Sequence, residues 1–303
     1  MITVFLQVLK LLTFAAIGFL LCRIGILDKG HSGILSKLLV WVFLPCNIYK
    51  TFAKNCTVQY ITDHYTLVIV SACATACLAV IMYFVSRCLT KNAYRRRVLE
   101  YSLVVPNSGY MGYPMAQAIM GDVGLTNAMI FSLPLSLYIY TYGFCILTKR
   151  NMSIKKLLNP VIISMALGIT AGLCSVPTPD FAYSILDSFS SCMAPVSMIL
   201  AGIVISEFKI KSLLVDVSTH ITALIKLVAV PLATGGILTL LSVPKEIIAT
   251  AVLIFSMPCG LNTIVFAKAI DEDCLPGASI ALISSTLSCI TVPLILAVFG
   301  IYG

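Results

Sequence analysis

Apolar residues fill the chain in ten long runs, and the short stretches between them hold most of the charges, prolines and glycines. A transmembrane helix needs about 20 mostly apolar residues to cross roughly 30 Å of hydrocarbon. Runs at 2–21, 33–53, 64–88, 98–120, 127–148, 159–176, 182–206, 216–241, 246–269 and 277–301 are of that kind. They are continuously apolar and do not alternate with period two, which predicts helices and not barrel strands. The first run is too long for a signal-peptide core and lacks a basic lead, so it counts as a span.

Composition agrees with this pattern. Of 303 residues, 59% are hydrophobic and 11% charged, where a soluble domain carries about a quarter charged. Mean hydropathy is +1.03, and no polar stretch is long enough to fold as a separate aqueous domain. An ordinary soluble protein is excluded, and the lipid bilayer is the expected surrounding.

The net charge of +8 would suit a nucleic-acid binder, but its placement reads as a topology signal. Of the 20 Lys and Arg, fifteen fall at odd-numbered loops, and only Lys50, Lys54 and Lys245 at even ones. The positive-inside rule then puts odd loops in the cytoplasm and both termini outside, with no nucleic-acid partner expected. Arg95, Arg96 and Arg97 could also form a patch for anionic lipid.

Twelve cysteines would suggest a disulfide framework in a small secreted domain. Here Cys46, Cys73, Cys77, Cys88, Cys145, Cys174, Cys192, Cys259 and Cys289 lie in spans and read as small buried apolar residues. Cys73 and Cys77 lack the C-x-x-C spacing and a nearby His, so neither metal nor cofactor is expected.

The chain also repeats itself. Pro45 recurs as Pro195 and Pro106 as Pro258, offsets of 150 and 152. Two landmarks with one shift divide the chain into five-helix halves, 1–150 and 157–303. Five is odd, so the second half enters the membrane inverted, as in alternating-access secondary transporters.

Spans 4 and 9 are interrupted at matching places. Pro106, Asn107, Ser108, Gly109, Gly112 and Pro114 punctuate the first; Pro258, Cys259, Gly260, Asn262 and Thr263 punctuate the second. Proline removes a backbone donor and glycine loosens the helix, so both stretches should unwind. The freed groups cannot face lipid, and the simplest solution is for the broken spans to cross. Each second half-helix then offers a partly positive N-terminus to an anion. Ordinary kinks are the competing reading, but a chance kink has no reason to be duplicated. Pro45 and Pro195, with Asn47 and Ser197, would shape the cavity wall.

Ionisable residues within spans are costly, and Lys10, Asp187 and Lys226 each need a reading. Lys226 is closest to the midplane. It either attracts an anionic substrate as a fixed cation or hydrogen-bonds carbonyls freed by a broken helix. No His lies in a span centre, and no nucleophile–base pair or aspartate pair suggests an enzyme.

Two of these motifs carry a resemblance. Asn107 to Pro114 resembles the N-x-x-x-x-G-x-P signature of the auxin efflux carrier family, and Met257 to Asn262 with Phe266-Ala267 is similar to its M-P-x-x-x-N-x-x-x-F-A signature. Lys226-Leu227 with Pro231 resembles the family's span 8 pattern. The resemblance covers essentially the whole chain. It implies an all-α, ten-helix fold like that of sodium/proton antiporters and bile-acid symporters. Spans 1, 2, 6 and 7 would form a scaffold, spans 3–5 and 8–10 a transport domain, with a homodimer through the scaffold. It further implies transport of small organic anions, auxin in plants and dicarboxylates such as malate or malonate in bacteria. The short link between halves is similar to the bacterial form and implies a plasma (inner) membrane location. No Asp or Glu lies between Leu103 and Gly121 or between Ile247 and Ile270, which argues against a sodium site built on an acidic pair.

The sequence thus predicts a carboxylate carrier whose substrate sits among Asn107, Ser108, Gly109, Gly112, Cys259, Gly260, Asn262 and Thr263, with Lys226 supplying charge. A ligand sensor using the same pocket is the alternative.

Overall fold

The computed structural model describes residues 2–148 and 160–301. Among these the regular structure is helical, with no strand. The main helices are α1 (Ile2–Arg23), α2 (Gly30–Asn55), α3 (Tyr65–Leu89), α4 (Ala93–Val104), α5 (Tyr113–Tyr138), α6 (Pro160–Leu173), α7 (Asp180–Ser206), α8 (Val217–Leu240), α9 (Lys245–Ser256), α10 (Asn262–Ala269) and α11 (Leu275–Val298). The short join between the proposed halves, with Lys149, Arg150, Lys155 and Lys156, lies outside the described residues.

Among the described residues, six stretches are long and apolar enough to cross a membrane: α2, α3, Val123–Thr148, α7, α8 and α11. At 1.5 Å per residue, a helix of the 24 residues in α11 spans about 36 Å, enough for the hydrocarbon core. The chain is a polytopic helical membrane protein.

Several helices contain a π turn just ahead of a proline. Leu39–Phe43 precedes Pro45, Ser108–Gly112 precedes Pro114, and Ile225–Ala229 precedes Pro231. The proline ring crowds the carbonyl four residues earlier and offers no donor, so the turn widens by one residue instead of breaking.

This corrects one sequence expectation. The stretch expected to unwind through Pro114 is non-helical only at residues 105–107; Ser108–Gly112 is a π turn and Pro114 opens the first turn of α5. Proline is tolerated there because first-turn amides have no intrahelical acceptor. The expected loop at 121–126 is likewise reduced to a bend at Gly121, whose φ of 67° favours glycine.

Close packing joins α1 to α7 and α2 to α6. Glycines make this possible. A Cβ on Gly202 would stand 1.9 Å from the Ala15 carbonyl oxygen, and one on Gly18 would stand 2.2 Å from that of Ile199. Gly168 and Gly172 likewise bring α6 close to Tyr49, Phe52 and Cys56, an added Cβ standing 3.0 and 2.7 Å from its nearest atom. In a bilayer, van der Waals contact replaces the hydrophobic effect as the force between helices, and small residues maximise it.

The same physics corrects the reading of the cysteines. Of the nine placed in spans, only Cys259 is buried, while Cys73, Cys77, Cys88, Cys174 and Cys192 are exposed on the outer surface. An apolar thiol has no reason to avoid a surface whose solvent is lipid.

Charged loops pair within the groups that the Lys/Arg count defined. At one end Arg95 meets Asp216 at 2.8 Å and Lys268 meets Glu207 at 3.0 Å, while the Tyr94 hydroxyl donates to the Asp273 carbonyl. At the other end Lys50 meets Asp187 at 2.6 Å.

Candidate functional site

Helix α4 ends at Val104 because the next residues, Val105 and Pro106, are extended and Pro106 cannot donate. Helix α9 ends at Ser256 before Met257-Pro258 for the same reason. The two extended stretches lie antiparallel, with Pro106 opposite Cys259. The Asn107 amide donates to the Pro258 carbonyl at 2.8 Å, and the Gly260 amide donates to the Val105 carbonyl at 3.1 Å. Each break thus satisfies part of the other's freed backbone. Gly260 permits the approach, since a Cβ there would meet the Val105 side chain at 3.1 Å.

Helix resumes after each break without a side-chain cap: neither Asn107 nor Leu261 bonds a first-turn amide through its side chain. First-turn amides have no intrahelical acceptor, and they concentrate partial positive charge.

Beside the paired breaks is a cavity of about 50 Å³, lined by Pro106, Asn107, Ser108, Gly109, Tyr110, Gly260, Leu261 and Asn262. Asn47, Thr51 and Phe52 of α2, Tyr140 just beyond α5, and Met193 of α7 also line it. Asn107 is 4% exposed, and its Oδ1 has no hydrogen-bond partner. A buried amide oxygen left unpaired is costly, and the Nδ2 of this side chain, not the oxygen, is the group able to donate to an anion. The Asn262 side chain is oriented by donating to the Tyr101 hydroxyl at 2.9 Å.

The remaining candidates stand behind this surface. Gly112 packs on Ile254 and Met257. The Cys259 amide donates to the Ser284 hydroxyl at 3.2 Å, and the Thr263 hydroxyl donates to the Gly260 carbonyl at 3.3 Å. The Ser197 hydroxyl donates to the Met193 carbonyl of its own helix at 2.6 Å. Pro45 and Pro195 shape α2 and α7 without lining the cavity, Pro258 contributes its carbonyl to the crossing, and Pro114 lines a wider vestibule.

Lys226 is fully buried, on the π turn of α8. Its Nζ donates to the Val104 carbonyl at 3.3 Å and lies 5.6 Å from the centre of the Phe255 ring. Of its two sequence readings, this geometry is that of an ammonium on a carbonyl freed by the break, not of one lining the cavity. Lys10 is exposed on α1.

Sequence reasoning passed over Glu100. It lies inside the 98–120 run, is 4% exposed, and accepts a hydrogen bond from the Tyr142 hydroxyl at 3.0 Å. An acidic residue within an apolar run was the available signal. Among the described residues no cluster of His, Cys, Asp or Glu could hold a metal ion.

Comparison with known proteins is consistent across the chain. The sequence profile of a family described as "Membrane transport protein" matches residues 3–157 and 150–296. An uncharacterized transporter of Methanothermobacter thermautotrophicus is 23% identical over 292 residues, covering 95% of each chain. An uncharacterized transporter of Methanocaldococcus jannaschii is 26% identical over 298 residues, covering 95% of this chain and 96% of its own.

Proposed function

The chain belongs to the auxin efflux carrier family of membrane transport proteins, and on that premise we propose that it is a secondary active carrier of small organic anions, carboxylates above all. It acts by alternating access at the crossing of its two broken helices, and not as an enzyme. The observation that carries this reading is a cavity bounded by two half-helix N-termini without side-chain caps and lined by the amide side chains of Asn107 and Asn262. A carboxylate there accepts from first-turn amides of Ser108 or Asn262 and from side-chain amides, in a low-dielectric pocket where such bonds are strong.

In this reading the chain makes ten crossings as two inverted five-helix repeats, 1–150 and 157–303. Two features support it. The bridge pairs residues 153 apart, within a residue of the offset between Pro106 and Pro258, as a two-fold axis through the crossing requires. In addition, α1 packs on α7 while its counterpart α6 packs on α2. Helices α1, α2, α6 and α7 would form the scaffold and a homodimer interface, and the others the moving transport domain. Lys226 holds the break of α4 with a fixed positive charge, which removes the need for a bound cation at that carbonyl. Both termini are extracytoplasmic, and the membrane is the plasma (inner) membrane.

The test is uptake and counterflow of labelled mono- and dicarboxylates in proteoliposomes, with and without imposed pH and sodium gradients. Saturable flux of a carboxylate supports the carrier. Specific binding without flux under any gradient supports the sensor that shares the pocket, and neither binding nor flux removes the anion assignment.

A further inference from the structure

The cavity at the crossing does not end there. Asn47, Thr51, Gly109, Tyr110 and Met193 also line a second space of about 270 Å³, whose other walls include Lys50, Gln117, Ser190 and Ser191. On α2, Asn47, Lys50, Thr51 and Lys54 stand at i, i+3, i+4 and i+7, which is one face of a helix. Lys50 is therefore one turn beyond Asn47, ~4.5 Å along the axis. Lys50 and Lys54 also line a third space further out, of about 280 Å³. A polar, then cationic, ladder thus leads from the crossing to the end of α2.

The ladder coincides with an exception in the charge pattern. Lys50 and Lys54 are two of only three basic residues at the even-numbered loops, so topology does not account for them. The Lys50 ammonium has three donors, and one of them bonds Asp187 at 2.6 Å. Lys50 is 20% exposed, whereas Asp187 is 57% exposed. A carboxylate so well solvated can be exchanged for another at little cost.

We propose that Lys50 is a second anion-binding point in the vestibule, taking the distal carboxylate of a substrate whose first carboxylate sits at the crossing, with Asp187 as the counter-ion it leaves. This rests on the carboxylate reading above and adds to it a basis for preferring two carboxylates to one. Asp187 sets the strength of that preference, because substrate must displace it.

The experiment is calorimetric binding of succinate and butyrate, equal in carbon number, to the purified full chain in lipid nanodiscs. A charge-assisted bond to Lys50 is expected to favour succinate by about tenfold or more. Lys50→Gln should bring the two anions to parity, Lys50→Arg should restore the preference, and Asp187→Asn should increase it. Lys245→Gln, an equal charge change on α9, should leave it unaltered. An unchanged preference in Lys50→Gln overturns the second point while leaving carboxylate binding at the crossing in place, as does equal binding of both anions by the unaltered protein. If Lys50→Gln does not fold, an unchanged preference in Asp187→Asn overturns it in the same way. Binding of neither anion by the unaltered protein overturns the carboxylate reading and the vestibule point together.

Discussion

The Asn107 amide donates to the Pro258 carbonyl at 2.8 Å, across 151 residues of sequence. One residue supplies a backbone donor that a helix would have used internally, and the other a carbonyl left without a helical donor because α9 has already ended at Ser256. The bond leaves the Asn107 side chain on the cavity wall, where its Nδ2 can donate to an anion, so structure and recognition are divided between backbone and side chain of one residue.

That division separates the two asparagines experimentally. Asn107→Ala removes no side-chain bond at Oδ1 and should leave thermal stability close to that of the unaltered protein. Transport at limiting substrate should fall by about tenfold to a hundredfold, the worth of a charge-assisted hydrogen bond. Asn262→Ala should lose transport similarly but also leave the buried Tyr101 hydroxyl without its donor, at about 1–3 kcal/mol. Normal transport by both variants, at equal membrane abundance, would remove the site assignment.

Lys226→Met conserves most of the side-chain volume while deleting the ammonium. The stranded Val104 carbonyl and the relief of burying a charge oppose each other, so membrane abundance should stay within about twofold. Transport should be largely lost, because the fixed charge behind the crossing is gone. Flux counted per molecule reconstituted checks this; unimpaired flux would make Lys226 a dispensable packing residue.

Gly202→Ala places a methyl group 1.9 Å from the Ala15 carbonyl oxygen, so α1 and α7 must separate. Overpacking of this kind costs about 1–3 kcal/mol or more and should lower the melting temperature in detergent. Gly236→Ala in α8, where an added Cβ meets nothing within 4 Å, should be neutral or stabilising by up to about 1 kcal/mol. Equal melting temperatures for the two variants would contradict the close α1–α7 contact.

At the start of α8, burial raises the Asp216 pKa, but hydrogen bonds from Ser218 and Thr219 and the Arg95 charge outweigh it, leaving the carboxyl below its ordinary 3.8. A folded-state pKa below the unfolded one adds stability that is present above the unfolded value and lost as pH falls through the folded one. Melting temperature should therefore fall more steeply on acidification in the unaltered protein than in Asp216→Asn. Parallel acid limbs would show that the Arg95–Asp216 pair contributes nothing.

Much of this protein was legible because the bilayer is a simple solvent. Twenty apolar residues and a bounding charge specify a span whatever packs beside it, and α1, α2, α3 and α7 lie within a few residues of their expected runs. The breaks at Pro106 and Pro258 were legible for a similar reason, since a missing N–H is a local property. The extent of unwinding was misjudged because a π turn can absorb Pro114, which depends on how the neighbouring helices hold the chain.

By itself, then, the sequence determined where helices run, where they fail, and which residue types stand at the failures, all of which follow from short-range sterics and transfer from water to lipid. Only the tertiary structure decided what those failures meet. The Pro106–Cys259 bridge, the Lys226 bond to Val104, the Tyr101 bond to Asn262 and the Lys50–Asp187 pair each join residues more than 100 positions apart. Hydrogen bonds tolerate displacements of less than about an ångström from their preferred distance. That precision exists only after close packing, through glycines such as Gly202 and Gly260, has set the helices against one another.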